Sequence, residues 1–441
     1  MSPDTKNADQ QQLAHNVWSR YMTEVYFFKK PSPLTTFSVD KIEQLAREKL
    51  KDNLNAFMYV FGSAGTSLGC AGNLEELAKW KILPRMLRDA TVRNLDTTLF
   101  GVKYKSPLIV APVGVQGIMH EDAEIATATA AGKVGVPYVM STAATRSLED
   151  VAEANGSGTR WYQLYWPVDD DITLSLLKRA KASGYTNLIV TLDTMLLGWR
   201  PHDLDRPYLP FLHGVGSQVG LSDPVFMKKH GLEPILEPPE FPYDPEDIER
   251  RCKEGDQKMI TRVRMAVEWL KQTNSGTFKS WEQLKLLRDN WDGPLILKGI
   301  LSVQDAELAM EYGVNGIVVS NHGGRQVDSV VPSLWALQKI MASPKIQAAQ
   351  ASGKLTVLFD SGIRTGSDII KAMALGAQGV LIARPFMYGL AVGGQVGVEQ
   401  VLRMTLADLE ITLGLTGYTN LQDIQGKGEE IVVRIGDATK L

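Results

Sequence analysis

Eight short apolar runs, each followed by a polar loop and then a helical pattern, predict an α/β chain closed into a (β/α)8 barrel, a TIM barrel. The runs are PLIVAP (107–112), YVMST (138–142), WYQLY (161–165) and NLIVTLD (187–193), then PLILKG (294–299), GIVVSN (316–321), LTVLFD (355–360) and GVLIAR (379–384). Their apolar character is continuous rather than alternating, as parallel strands buried on both faces require. The segments between them read as helices: EDAEIATATAAGKVG, VQDAELAMEYG and GSDIIKAMALG start near an acidic residue and end in glycine. A doubly wound open sheet is the main rival, but no reversal of strand order is marked.

Residues 1–106 precede the barrel as an N-terminal helical segment, SVDKIEQLAREKL and LEELAKWKILPRML. It ends in a hairpin, TTLFGVKYKSP, suited to closing the bottom of the barrel. Residues 107–441 form the barrel itself. One connection is out of scale. About a hundred residues separate Asp193 from Lys298, where a βα connection takes about 2–6 residues plus a helix. The excess, 200–293, includes the proline-rich stretch LEPPEFPYDPED (236–247). Trp199, Tyr208, Phe211 and Phe226 in and beside it predict a lid on the loop face rather than a disordered appendage.

The bulk composition excludes several classes. With 441 residues, 44% of them hydrophobic, the chain can bury a large core. A formal charge of −3 gives no basic excess for nucleic acid. No apolar run reaches the roughly 18 residues of a membrane span, and the polar N-terminus lacks the apolar core of a secretory signal. Cys70 and Cys252 are the only cysteines, far apart. A disulfide framework is therefore not expected, and a reducing, cytoplasmic setting is. The last residues, Thr439-Lys440-Leu441, come close to the Ser-Lys-Leu peroxisomal address and keep that location open.

Barrel enzymes carry their sites at the C-terminal ends of the strands. The ends here hold Val113-Gly114, Ser141-Thr142, Gln163 and Tyr165, and Thr191 and Asp193 with Arg200 beyond. The last four hold Lys298, then Asn321, His322 and Arg325, then Asp360, Gly362 and Arg364, and finally Ala383-Arg384. The seventh and eighth loops, DSGIRTGSD and ARP, suit a phosphate, with a helix N-terminus near Gly366-Ser367 and with Arg364 and Arg384 adding charge. Arg200 and Arg325 beside His322 suit a carboxylate substrate that loses a proton, with Asp193 as partner of the histidine. No nucleophile elbow, metal cluster or GxGxxG fingerprint is present in the sequence. Lys298 is open to two readings: a Schiff-base lysine, as in a lyase or isomerase, or a charge that stabilises a reduced flavin. A binding barrel without catalysis is the remaining reading, which the complete set His322, Asp193, Arg200 and Arg325 disfavours.

VSNHGGRQ (319–326) resembles the signature of the FMN-dependent L-2-hydroxy-acid oxidases and dehydrogenases, and the likeness runs from about Tyr59 to Tyr418. LLGWRPHDLDRPYLPFLHG followed by DPVF resembles the start of the long fourth loop of the lactate 2-monooxygenase branch. LKGI and LFDSGIRTG resemble it too. The resemblance implies FMN as cofactor, and a small 2-hydroxy acid and molecular oxygen as substrates. It also implies a homotetramer or homo-octamer. It implies His322 as base, Asp193 as its partner, and Arg325, Arg200, Tyr59 and Tyr165 on the substrate. Lys298 would lie at flavin N1 and C2=O. Ser141, Gln163, Thr191 and Ser320 would bind the flavin, with the Val113-Gly114 backbone near N5. Asp360 would hold the ribityl chain, and Gly362, Arg364, Ala383 and Arg384 the phosphate. Ala383 stands where the family usually has glycine. Gly114 replaces an alanine of the simple oxidases and is expected to leave room for oxygen. No haem domain precedes the barrel, so oxygen is the expected acceptor. A simple oxidase releasing the 2-keto acid and hydrogen peroxide is the alternative outcome.

Overall fold

A computed structural model describes residues 16–435 of the chain; the C-terminal Thr-Lys-Leu lies outside them. Eight parallel strands close into a barrel: β4 (Leu108–Val110), β5 (Tyr138–Ser141), β6 (Arg160–Leu164), β7 (Leu188–Thr191), β8 (Leu295–Ile300), β9 (Gly316–Val319), β10 (Thr356–Phe359) and β11 (Gly379–Ile382). Each coincides with one of the eight apolar runs, and β11 pairs with β4 to complete the ring. Every strand contributes one residue to a single interior cluster: Ile109, Val139, Trp161, Ile189, Ile296, Val318, Leu358 and Leu381, all essentially without solvent exposure. Their neighbours along the strands, such as Leu108, Val110, Val190 and Ile317, face outward onto the helices. Both faces are dry, which is why the runs carry no polar alternation.

The hairpin β2 (Thr97–Leu99) and β3 (Val102–Tyr104) closes the N-terminal end of the barrel. Leu99 and Tyr104 join the interior cluster. Phe100 and Tyr104 meet the Trp161 ring edge-on at 5.8 and 6.2 Å between centroids, an arrangement favoured by the ring quadrupoles.

The helix expected over 74–87 is displaced. It spans Leu68–Lys79, and Trp80–Ile82 leaves it as strand β1, antiparallel to β12 (Val432–Arg434) near the end of the chain. Glu76 on this helix binds the Trp80 indole N–H and the Arg434 guanidinium. A partner some 350 residues away decides the local conformation, so tertiary pairing overrides the helical pattern.

Segment 200–293 is folded and mostly helical, including Pro224–Lys229, Pro245–Lys253, Gln257–Thr273 and Leu284–Asn290. Pro201, Pro210, Pro224 and Pro245 start helical turns. Asp223 and Asp244 each cap a helix whose first residue is proline, accepting two backbone N–H bonds apiece. The buried Asp223 also pairs with Arg179 of the barrel helix Asp170–Ala182 at 3.1 Å, anchoring the insertion. Phe226 and Trp269 stack edge-on inside it at 5.2 Å, whereas Trp199 is largely exposed.

Among the described residues no helix is long and apolar enough to cross a membrane, and no group of three or more His, Cys, Asp or Glu stands ready to hold a metal.

Leu99→Ala removes the apex of the hairpin plug from a fully buried site. It is expected to cost about 2–5 kcal/mol, read as a lowered denaturation midpoint. An unchanged midpoint would mean that the hairpin does not close the core.

Candidate active site

β9 ends at Val319, and the chain turns into one 3-10 turn, His322–Gly324. His322 sits at φ +57°, in the left-handed region that costs a non-glycine residue free energy. Its surroundings hold it there. Its N–H donates to Ser320 Oγ at 3.1 Å. Asn321 and Asn73 exchange side-chain hydrogen bonds of 2.8 Å in both directions, tying the turn to helix Leu68–Lys79. Gly324 lies flat on that helix: at φ +74°, a Cβ would stand 2.3 Å from the Cys70 backbone nitrogen. Gly323, by contrast, lines the pocket.

His322 Nδ1 lies 2.7 Å from Asp193 Oδ1, and the Thr194 hydroxyl donates to the same oxygen at 2.9 Å. The carboxylate fixes the proton on Nδ1 and leaves Nε2 as the basic nitrogen. Burial lowers the His322 pKa below its ordinary value, against the pull of Asp193. Burial also opposes ionisation of Asp193, but His322 and Lys298 hold its carboxyl well below the usual range. The pair is thus a neutral imidazole on a carboxylate.

Tyr59, Tyr165, Arg200, Lys298, His322 and Arg325 line one pocket at the C-terminal mouth of the barrel. Burial and the nearby Arg200 and Arg384 push the Arg325 guanidinium down to about 9, so its charge is poorly compensated. Arg325 Nη1 donates to the carbonyls of Tyr59 (2.7 Å) and Gly62 (2.8 Å), and its guanidinium lies over the Tyr59 ring. Arg200 Nε donates to the Arg325 carbonyl at 2.9 Å. Asp203, which sequence reasoning passed over, is a nearby acid. Burial raises its pKa against Arg325 and Arg200. The Tyr165 hydroxyl, pushed up to about 12 by burial, stays protonated.

Lys298 is aimed by a register break in β8, where Gly299 takes φ +106°. Its ammonium lies 3.6 Å from Asp360. Burial disfavours its charge, but Asp360 and Asp193 raise its pKa overall. A Schiff-base lysine needs a free amine at neutral pH, so that reading loses its support.

A row of polar groups crosses the strand ends: Ser141 Oγ donates to Gln163 Oε1 at 3.0 Å, and Gln163 Nε2 donates to Thr191 Oγ1 at 2.9 Å. Val113, Gly114, Asp360, Gly362, Arg364, Ala383 and Arg384 complete the pocket wall. Two expectations are corrected, at the helix N-terminus after β10 and at Gly114. The N-terminus of helix Gly366–Ala374 is already closed: Thr365 and Asp368 form a capping box, and Gly366 N–H donates to Asp408 of another helix at 2.6 Å. Carboxylates occupy the place expected for a phosphate. Arg384 donates to the carbonyls of Val60, Gly62 and Gly323, all at 3.1 Å, which uses three of its five N–H groups. Open to a phosphate are the backbone of Gly362 and Ala383-Arg384, the two remaining N–H groups of Arg384, and the Arg364 guanidinium, whose charge burial and Arg384 disfavour. At Gly114, an added Cβ would stand 2.5 Å from the Ala143 carbonyl oxygen, so the expected spare room is already filled.

These residues fit FMN. Lys298 lines the pocket and offers charge to a ring rich in N–H and C=O groups, with Thr191 of the buried polar row beside it in register, and Arg364 offers charge to a phosphate. A family model described as FMN-dependent dehydrogenase matches residues 46–430. An FMN-dependent alpha-hydroxy acid dehydrogenase of Penicillium citrinum is 44% identical, over 89% of this chain and 90% of that one. An L-lactate oxidase of Lysinibacillus sphaericus is 36% identical over 87% and 90%. A solved structure of mandelate oxidase superposes with a TM-score of 0.71 at 32% identity, over 89% of this chain and 98% of that one. With most of its length matched, the barrel and its rim place the chain in the FMN-dependent dehydrogenase family, the FMN-dependent oxidases and dehydrogenases of 2-hydroxy acids, with FMN as its cofactor.

Proposed function

We propose that the chain oxidises a small L-2-hydroxy acid of the lactate class with molecular oxygen, as a lactate 2-monooxygenase yielding acetate, carbon dioxide and water. The observation that carries the substrate reading is His322, hydrogen-bonded to Asp193 at 2.7 Å, in one pocket with Arg200 and Arg325. FMN supplies the two-electron acceptor. Arg200 and Arg325 bind the substrate carboxylate, and the Tyr59 and Tyr165 hydroxyls orient the acid beside it. His322 Nε2 takes a proton from the bound acid, and Asp193 stabilises the imidazolium that results. Lys298, charged and buried, offsets negative charge that builds beside it.

The monooxygenase outcome turns on retention. If the keto acid stays while hydrogen peroxide is formed, peroxide decarboxylates it to the shorter acid, carbon dioxide and water. Phe211, Gly216, Trp269, Leu270, Thr273 and Asn274 of the insertion all line the pocket, which supports a lid that slows release. The filled space beside Gly114 favours the second reading, a simple oxidase releasing keto acid and peroxide, because one expected aid to rapid reoxidation is missing.

His322→Ala is expected to slow flavin reduction by about 10²–10⁴-fold, the usual size of general-base effects, with FMN still bound. Reduction at the wild-type rate would remove His322 from the chemistry. The pH profile carries a sign. The base is the neutral imidazole, and its pKa lies below the ordinary 6.5. The reduction rate should therefore rise through a midpoint below 6.5 and stay flat above it. Asp193→Asn removes the charge that holds the proton, so both the midpoint and the plateau should fall. A midpoint that moves upward contradicts the pairing. Product analysis tests retention: L-lactate and oxygen should yield mainly acetate, and Phe211→Ala should divert turnover to pyruvate and peroxide. Stoichiometric pyruvate and peroxide from the unaltered enzyme would establish the simple oxidase.

A further inference from the structure

The segment 193–200 carries Asp193 at one end and Arg200 at the other, and it has no regular secondary structure. No strand ladder sets the distance between these two groups. The middle of the segment is held through the carbonyls of Thr194, Met195 and Trp199, which accept from Asn274, Gly276 and Gly65, and one further side chain reaches both ends. Gln326 Nε2 donates to the Asp193 carbonyl at 2.7 Å and to the Leu196 carbonyl at 2.8 Å. Its Oε1 accepts from the Gly198 N–H at 3.3 Å and from the Arg200 guanidinium. Both amide hydrogens and both lone pairs are used. Only one amide orientation satisfies two carbonyls and two N–H donors, so the geometry also fixes the flip.

The backbone is pressed against the same place. A Cβ on Gly198 would stand 2.5 Å from the Gln326 carbonyl oxygen and 2.6 Å from that of Arg325. Arg200 Nε adds its bond to the Arg325 carbonyl. The 193–200 segment is thereby docked on the residues that follow His322.

We propose that Gln326 is a positioning residue: its neutral amide sets the span between the His322–Asp193 pair and the Arg200 guanidinium, and it holds Arg200 without cancelling its charge. A glutamate of the same shape would accept from Arg200 equally well. It would also form an ion pair that competes with the substrate carboxylate, and it would offer no donor to the carbonyls of Asp193 and Leu196. Charge neutrality is therefore part of the function, not only length. The inference rests on the roles given above to His322 and Arg200.

Two variants separate geometry from charge. Gln326→Met keeps the length and loses all four bonds. Gln326→Glu keeps the shape and acceptor and adds charge. Rapid-mixing reduction of the FMN-loaded enzyme by L-lactate gives a limiting rate and a dissociation constant for each. Gln326→Met should lower the limiting rate by about tenfold or more, the scale of a misplaced reacting group. Gln326→Glu should raise the dissociation constant by about tenfold or more, because the new carboxylate competes with the substrate for Arg200. A purely structural role predicts that both variants lose rate only in proportion to lost FMN or lowered thermal midpoint, with the dissociation constant unmoved; that result overturns the proposal. If Gln326→Met cannot hold FMN, the dissociation constant of Gln326→Glu decides alone. His322→Ala run in parallel keeps the two readings apart. If it reduces normally, the role of the pair is wrong. If it is inactive while both Gln326 variants match the wild type, only the positioning role is wrong.

Discussion

The rim of this barrel is organised by buried positive charge that the protein solvates without neutralising. Lys298 has a carboxylate close by, Asp360 at 3.6 Å, and Arg200 has a more distant one, Asp203 at 4.0 Å. The guanidiniums rest mainly on neutral acceptors. Arg325 and Arg384 share the carbonyls of Val60 and Gly62. Arg364 donates to its neighbour's carbonyl, that of Ile363, and Arg200 to the Arg325 carbonyl and the Gln326 amide. Carbonyl dipoles lower the cost of burying a cation but leave its net charge in place. The site therefore stays electropositive until an anion arrives, and both the phosphate of FMN and the carboxylate of a 2-hydroxy acid are anions.

That demand shapes the backbone around it. The carbonyls of Tyr59, Val60 and Gly62 are available because helix Leu54–Phe61 ends there, and the last carbonyls of a helix lack partners within it. Two arginines supply the missing donors, and in doing so bring Tyr59 to the pocket. The cost appears as strain. Val115, His322 and Ser361 all take positive φ, at 57°, 57° and 82°, and all follow barrel strands at this rim. Such conformations persist only where neighbours over-determine them. The Asn73–Asn321 exchange and the bond from Gly323 N–H to Ser361 Oγ are those neighbours.

What was legible in the sequence follows from the range of the forces involved. The eight strands were visible because burial on both faces is written into each run itself. Their polar ends were visible because polar residues interrupt those runs at the same relative position. The fate of Trp80–Ile82 was not, since its partner Val432–Arg434 lies at the other end of the chain. Nor were the partners of Arg384, because a guanidinium among phosphate-like loops looks the same whether it faces a ligand or backbone carbonyls. Asp408 closes the N-terminus of Gly366–Ala374 from a different helix, and no local pattern announces it. Gln326 stood inside the signature stretch, yet its residue type fits a surface position as well as a fourfold hydrogen-bonding one.

The same charge arrangement bears on how turnover ends. Oxidation of a 2-hydroxy acid converts the hydroxyl to a carbonyl and leaves the carboxylate untouched, so the groups proposed to bind the acid would also bind its product. Arg200 and Arg325 cannot distinguish the two by charge. His322, once protonated, adds a further positive charge beside a carboxylate that is still present, which strengthens product binding until that proton departs. In the proposed reaction, retention of the keto acid would thus be favoured electrostatically at the stage when oxygen reacts, even before the insertion contributes. On that proposal the insertion residues at the pocket wall, Phe211 and Trp269 among them, would act on a product already held by charge. Release would then depend on losing the His322 proton and opening the apolar wall together, which would make the partition between the two proposed outcomes a competition of rates rather than a property of any one side chain.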